Sequence, residues 1–331
     1  MWAELVKVDE IGDLDAVSLI IFASDSCYEE LREQFGNIKA KNVFGAVFPG
    51  VIFDGKKYED RAIALRFDFE ISGFRGCVPA DVKAETLLTL ADGFHENVES
   101  TLENVYFKLG NTVKYLGGGA GSLNRRIDCL FDKDGFFSND VLFVSLPFDC
   151  NIAVRHGWQE TGYSFVSTRT SGRKILELDW TPAFEAYKDI LAQFDIEISR
   201  KNFFDVAMAY PFGISKICGE DIIRDPLYLD KSSIICAGKV PRNHILKLMR
   251  GEKDRLVEAA RECAEAVEGN VSFDCISRVL YLGDEFKREA RHLKGTFGAL
   301  TIGEIACSRG IVEFFNKTLV VGGIHEKVYL A

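Results

Sequence analysis

Lys114-Tyr115-Leu116-Gly117-Gly118-Gly119-Ala120-Gly121-Ser122 is the most constrained stretch of the chain. A short apolar run, interrupted by Lys114, passes into four glycines within six residues. Glycine loses more backbone freedom on folding than any other residue, so such a run belongs where φ is positive or where the backbone approaches another backbone or a ligand closely. We read it as a strand end that lines a pocket; a tight glycine-lined turn between two strands is the alternative. Two familiar glycine-rich motifs fail on the letters. A Walker loop needs Lys-Ser/Thr after its last glycine, and Gly121 is followed by Ser122-Leu123. A dinucleotide fingerprint needs glycine where Ser122 stands and then a helix, whereas residues 127–131 have strand character.

The flanking sequence repeats itself. Residues 86–90 read as a strand, 97–109 as a helix with Val98, Leu102, Val105 and Leu109 in one stripe, and 113–116 as a strand. Earlier, residues 17–22 read as a strand, Ser26-Cys27-Tyr28-Glu29 as a capping box for a helix reaching Phe35, and 43–47 as a strand. Cys129-Leu130-Phe131-Asp132 answers Val51-Ile52-Phe53-Asp54, and residues 141–146 answer 62–67. A duplicated strand-helix-strand-strand unit therefore spans 15–148, with 45–50 as the counterpart of 117–121.

Beyond it, Thr181-Pro182 opens a helix carrying Ala183, Tyr187, Ile190 and Phe194, and polar residues at 199–202 mark a boundary. Strands are expected at 206–210, 221–229, 234–240 and 245–249. A helix then aligns Leu256, Ala260, Cys263 and Val267, and strands at 271–275, 299–305 and 318–321 surround a helix at 284–293. The expected fold is α/β, mixed α+β, with two domains of mixed sheets covered by helices at 15–197 and 198–331.

With 331 residues, 47% apolar and 27% charged, the chain is long enough for two cores. A net charge of -10 without a basic run argues against nucleic acid and anionic membrane as partners. Nine scattered cysteines without a Cys-x-x-Cys pair point to a reducing compartment, and the acidic N-terminus lacks a leader's apolar core. A cytoplasmic location is expected. The five histidines are not spaced as metal ligands, so no metal site is expected, although a metal could arrive within a cofactor.

Phe273-Asp274-Cys275-Ile276-Ser277-Arg278 places a thiol and a guanidinium at a strand end, where α/β proteins bind ligands. Arg278 is read as a clamp for a small carboxylate, or as a structural ion pair. Cys275 is a nucleophile or a buried structural thiol. Glu304, after Gly303, is an inward acid that meets Arg278 or receives a ligand's amino group. His156-Gly157-Trp158 offers a haem ligand with an aromatic pocket wall, or a strand-end histidine beside a core tryptophan.

These pieces resemble the FIST family, whose members carry N-terminal and C-terminal FIST domains in tandem. The resemblance rests on Leu116-Gly117-Gly118-Gly119-Ala120-Gly121, His156-Gly157-Trp158, Val166-Ser167-Thr168, Glu177-Leu178-Asp179 and Pro182-Ala183 in the first half. In the second it rests on Pro211-Phe212-Gly213, Arg224, residues 273–278, Gly303-Glu304 and Phe315-Asn316. It implies a ligand-binding module of signal transduction that takes amino acids or similar small molecules; some bacterial relatives are haem-binding nitric oxide sensors that regulate histidine kinases. The sites it suggests are Gly117 to Ser122 including Ala120, with Cys275, Arg278, Gly303 and Glu304 around a ligand between the domains, and His156 with Trp158 for haem. Trp180 stands where relatives usually have glycine, and Ser122-Leu123 where they often have an acid. A protein-interaction module and a cysteine-dependent enzyme are further readings.

Overall fold

The computed structural model describes residues 1–216, 219–308, 310–326 and 329–330. Cys218 therefore lies outside the described residues. The expected duplication is present, and a third copy completes it. The first repeat runs β1 (Ser18–Ser24), α1 (Tyr28–Gln34), β2 (Asn42–Phe48), the hairpin β3 (Gly50–Phe53) and β4 (Lys56–Tyr58), then β5 (Ala62–Phe67). The second runs β6 (Thr86–Asp92), α2 (Val98–Leu109), β7 (Lys114–Ala120), the hairpin β8 (Leu130–Asp132) and β9 (Gly135–Phe137), then β10 (Val141–Leu146). The third runs β11 (Val271–Cys275), α3 (Ile276–Leu282) and α4 (Phe286–Ala290), β12 (Phe297–Thr301), the hairpin β13 (Glu304–Ser308) and β14 (Ile311–Phe315), then β15 (Leu319–Ile324).

In every repeat the first strand pairs parallel with the second and antiparallel with the last: Ser18 with Asn42 and Phe67, Thr86 with Lys114 and Leu146, Val271 with Phe297 and Gly322. Each hairpin leaves its own sheet for another. Phe131 of β8 pairs with Gly45 of β2, Glu304 of β13 with Gly118 of β7, and Val51 of β3 with Ala299 of β12. The exchange is cyclic, so no repeat completes its sheet alone. Central strands buried on both faces read as continuous apolar runs, as in the fully buried Ser18–Ser24. The main core accordingly mixes Phe22, Phe48 and Leu116 with Phe273, Phe297 and Val320.

A second body is inserted between the repeats. Gln159–Val166, Ile245–Arg250, Phe212–Ile214 and Ile222–Arg224 form a four-stranded sheet, and Lys174–Leu178 pairs with Ser233–Cys236 in another. Phe165, Tyr187, Phe212 and Leu246 belong to its own core. The expected boundary at 197/198 falls inside this body. Strand pairing crosses that position, as between Lys174–Leu178 and Ser233–Cys236. Two local readings also change. Residues 206–210 are not a strand, because Phe203–Ala207 is a short helix. The expected capping box is replaced: Cys27 is the helix N-cap without a side-chain bond, while Ser26 Oγ donates to the carbonyl of Glu59.

Candidate functional site

The glycine run forms the interior of β7 and grips a turn. A Cβ on Gly117 would stand 1.9 Å from the Thr89 carbonyl oxygen, on Gly118 2.4 Å from Thr301 Cγ2, and on Gly119 2.1 Å from the Ile302 carbonyl oxygen. Gly119 N donates to Gly303 O and Ile302 N to Gly119 O, both at 2.7 Å. The missing side chains of Gly118 and Gly119 thus seat Thr301-Ile302-Gly303-Glu304 against the strand, and that of Gly117 lets β6 approach. This corrects the expectation of a pocket lining: protein fills the space beside these three glycines. Ala120 is buried within β7. The run ends where Gly121 takes φ 142° and Ser122 Oγ donates to Asp25 Oδ2 at 2.7 Å.

That grip places Glu304. Fully buried, it accepts hydrogen bonds from Thr301 Oγ1 at 2.7 Å and Thr318 N at 3.2 Å. Burial pushes its carboxyl up to about 8, partly opposed by hydrogen bonds from Thr301, Cys275 and Thr318. Cys275 ends β11 and is the N-cap residue of α3, and its thiol reaches Glu304. Burial, then the Glu304 charge, pushes that thiol far above its ordinary range. An activated nucleophile needs the opposite shift.

Arg278 lies in the first turn of α3 with no exposed surface. Its Nε donates to Glu289 Oε1 at 3.0 Å and lies 3.2 Å from Asp274 Oδ1. Nη2 donates to Glu289 Oε2 at 2.6 Å and Leu256 O at 3.1 Å, and Nη1 to His156 O at 2.5 Å. The guanidinium is saturated by protein. Where a carboxylate-bearing ligand was expected, Glu289 supplies the carboxylate. Asp274 is pushed well above the usual carboxylate range by burial and by the charge of Glu289.

Lys317 joins this network to the inserted body. Its Nζ lies 3.1 Å from Asp225 Oδ1, donates to Met208 O at 3.0 Å and sits 4.7 Å from the Trp158 ring centre. Ser277 Oγ donates to Asp225 Oδ2 at 2.7 Å, and Trp158 Nε1 to Lys317 O at 3.1 Å. His156 is committed as well: Nδ1 accepts from Trp158 N at 2.9 Å, and Nε2 lies 3.1 Å from Glu220 Oε2. Burial pushes its imidazole down to about 4, so it is neutral at ordinary pH and Nε2–H faces the carboxylate. With both ring nitrogens engaged and Trp158 sealed in the core, these residues do not fit an axial haem site.

Four carboxyls (Asp225, Asp274, Glu289 and Glu304) therefore share a dry region with two cations, Arg278 and Lys317. The sequence brought Cys275, Arg278 and Glu304 to attention, but it missed Asp225, Glu289 and Lys317. The one legible signal was the polar step Asn316-Lys317-Thr318 between two apolar strands. Among the described residues, no cluster of His, Cys, Asp and Glu has metal-holding geometry, and no helix is long and apolar enough to cross a membrane.

Comparison with known proteins follows this architecture. The FIST N domain model matches residues 18–181 and the FIST C domain model residues 183–307. A protein of Methanocaldococcus jannaschii described as uncharacterized is 24% identical over 307 residues, covering 76% of this chain. The chain spans 58% of that relative's length.

Proposed function

Given that the chain belongs to the FIST family, with FIST N and FIST C domains in tandem, we propose that it is a cytoplasmic small-molecule sensor of a signal transduction system. FIST domains are associated with signal transduction sensing. The ligand in this reading is an amino acid or similar metabolite bound where the two segments meet, and the change passes to a separate signalling protein such as a histidine kinase. The observation that supports it is the buried charge cluster. Burying ions costs several kcal/mol each, about as much as their attraction returns, so such clusters are weak devices for stability and are better suited to holding one of two arrangements. Here the cluster ties α3 and α4 of the C segment to His156 of the N segment. A ligand biases such an element only through different affinities for its two arrangements. Since Arg278 and Glu304 are enclosed by protein, they serve as the responding element, reached by way of the helices around them.

Native mass spectrometry of the freshly purified protein, compared with its denatured mass, is the first test. A small mass increment lost on denaturation is expected, together with a raised melting temperature in the presence of one amino acid or a close relative. No increment and no thermal response across the common amino acids would remove this reading and leave an interaction module.

A further inference from the structure

The hairpin β3–β4, from the FIST N segment, leans against α4, from the FIST C segment, and between them lies a cavity of about 660 Å³. That is the size of a site for a small organic molecule. Its rim carries five cationic side chains against two carboxylates, on a chain of net charge -10. One of the five, Lys57, is neutralised by Glu59 at 2.7 Å. Lys56, Lys287, Arg291 and Lys294 have no ion-pair partner among the described residues. Both acids, Asp284 and Asp54, which also accepts from Gly295 N at 3.0 Å, offset part of that charge and leave the rim net positive. The floor is apolar, from Val279, Phe286 and Ala290.

The cavity is also built rigidly. Asp54 and Gly55 both take positive φ, 48° and 72°, at the hairpin turn. Asp54 N donates to Thr296 O at 2.8 Å, and a Cβ on Gly55 would come within 3.0 Å of the Ala290 carbonyl oxygen, so the wall fits closely against α4. Like charges held together repel until an anion joins them. Four unpaired cations against Asp54 and Asp284 leave an excess of positive charge that one ligand carboxylate does not meet. A phosphoryl chain carries several charges and suits ammonium groups and a guanidinium fork alike. From this we infer that the cavity binds an organic di- or polyphosphate whose apolar body rests on Val279 and Phe286. The site stands on charge and shape and is independent of the sensor reading.

The test is calorimetric titration of the full chain at low ionic strength with adenosine diphosphate and with pyrophosphate. Both should bind, the nucleotide more tightly because only it covers the apolar floor. The double variant Lys287→Gln, Arg291→Gln should lose about tenfold or more in affinity. A control with the same charge change elsewhere, Arg32→Gln with Lys41→Gln, should lose little. The inference is overturned if neither probe binds at millimolar concentration, or if the two double variants weaken binding equally. Equal affinity for pyrophosphate and the nucleotide would overturn the organic body. Circular dichroism of the variants shows whether either loss reflects unfolding.

Discussion

The second repeat ends its first strand on a buried acid and the third carries one a single residue before the end, and they treat them oppositely. At the end of β6, Asp92 is 1% exposed but accepts backbone N–H groups from Phe94 at 3.0 Å and Asn139 at 2.9 Å. Its cationic partner Arg126 lies in solvent. One residue before the end of β11, neither Asp274 oxygen receives a hydrogen bond from the described residues, and Arg278 and Glu289 are as dry as Asp274 itself. Backbone amides satisfy an acid at no cost in further buried charge. A buried guanidinium demands further carboxylates, and each of those must be compensated in turn. A buried acid near the end of the first strand therefore holds a loop in one repeat and organises a charge cluster in the other.

The largest expected effect tests that cluster. Arg278→Ala leaves Glu289 and the carbonyls of His156 and Leu256 without their donor, and should destabilise the protein by about 3–5 kcal/mol in chemical denaturation. The double variant Arg278→Met, Glu289→Met removes both charges and should cost clearly less than the single change. A double that costs as much as the sum of its singles would mean that the pair is not coupled, and the contrast with Asp92 would lose its basis.

Next comes the socket that positions Glu304. Gly119→Ala drives a methyl into the Ile302 carbonyl, a backbone atom that cannot step aside, and should cost at least about 1–3 kcal/mol. Gly36→Ala is the foil, because no described residue comes within 4 Å of its would-be Cβ. It should be neutral or gain about 0.5 kcal/mol. Equal effects in thermal melts would show that β7 is not tightly gripped.

How much of this was legible follows from the range over which each signal acts. Strand and helix order in the first two repeats could be read because apolar spacing is local, and the match of residues 129–132 to 51–54 located the exchanged hairpins. The third copy escaped because the inserted body separates it from the others and its helical part is broken into α3 and α4. The glycine run was recognised as a place of close approach, but the letters cannot say whether a ligand or a carbonyl approaches. For the same reason the letters leave Arg278 open between a ligand clamp and a structural ion pair. Its partner Glu289 is eleven residues away on another helix, and only the tertiary fold brings the two together.

The pH dependence separates the repeats further. Glu304 holds its proton up to about 8 in the folded protein, while an unfolded glutamate releases it near its ordinary value of about 4.3. The folded state thus binds more protons through that window, so stability falls as pH rises, by up to about 1.4 kcal/mol per pH unit. Asp274, raised in the same direction, adds the same sign. His156 works the other way. Lowered to about 4 from an unfolded value near 6.5, it costs stability as pH falls through that interval. Between about 6.5 and 8 the carboxyl effect is unopposed by His156. Denaturation midpoints should fall across that range, and Glu304→Gln, which keeps an acceptor for Thr301 and Thr318, should flatten the fall. An unchanged slope in the variant would remove Glu304 as its source.

The smallest effect belongs to the second repeat, and it decides whether the contrast is one of charge or merely of burial. Arg126 is half exposed and Asp92 keeps its two backbone donors without it, so Arg126→Ala should cost no more than about 1 kcal/mol. Added salt should shrink that cost, since water and ions reach the pair. The Arg278→Ala penalty should be nearly insensitive to salt, because no solvent screens a group enclosed by Glu289, Asp274 and three carbonyls. If both variants lost the same stability with the same salt dependence, the acids of β6 and β11 would be equivalent. A large, salt-independent loss confined to Arg278 would place the energetic weight of the cluster in its dry charges, where a ligand-driven shift of α3 or α4 would have most to act upon.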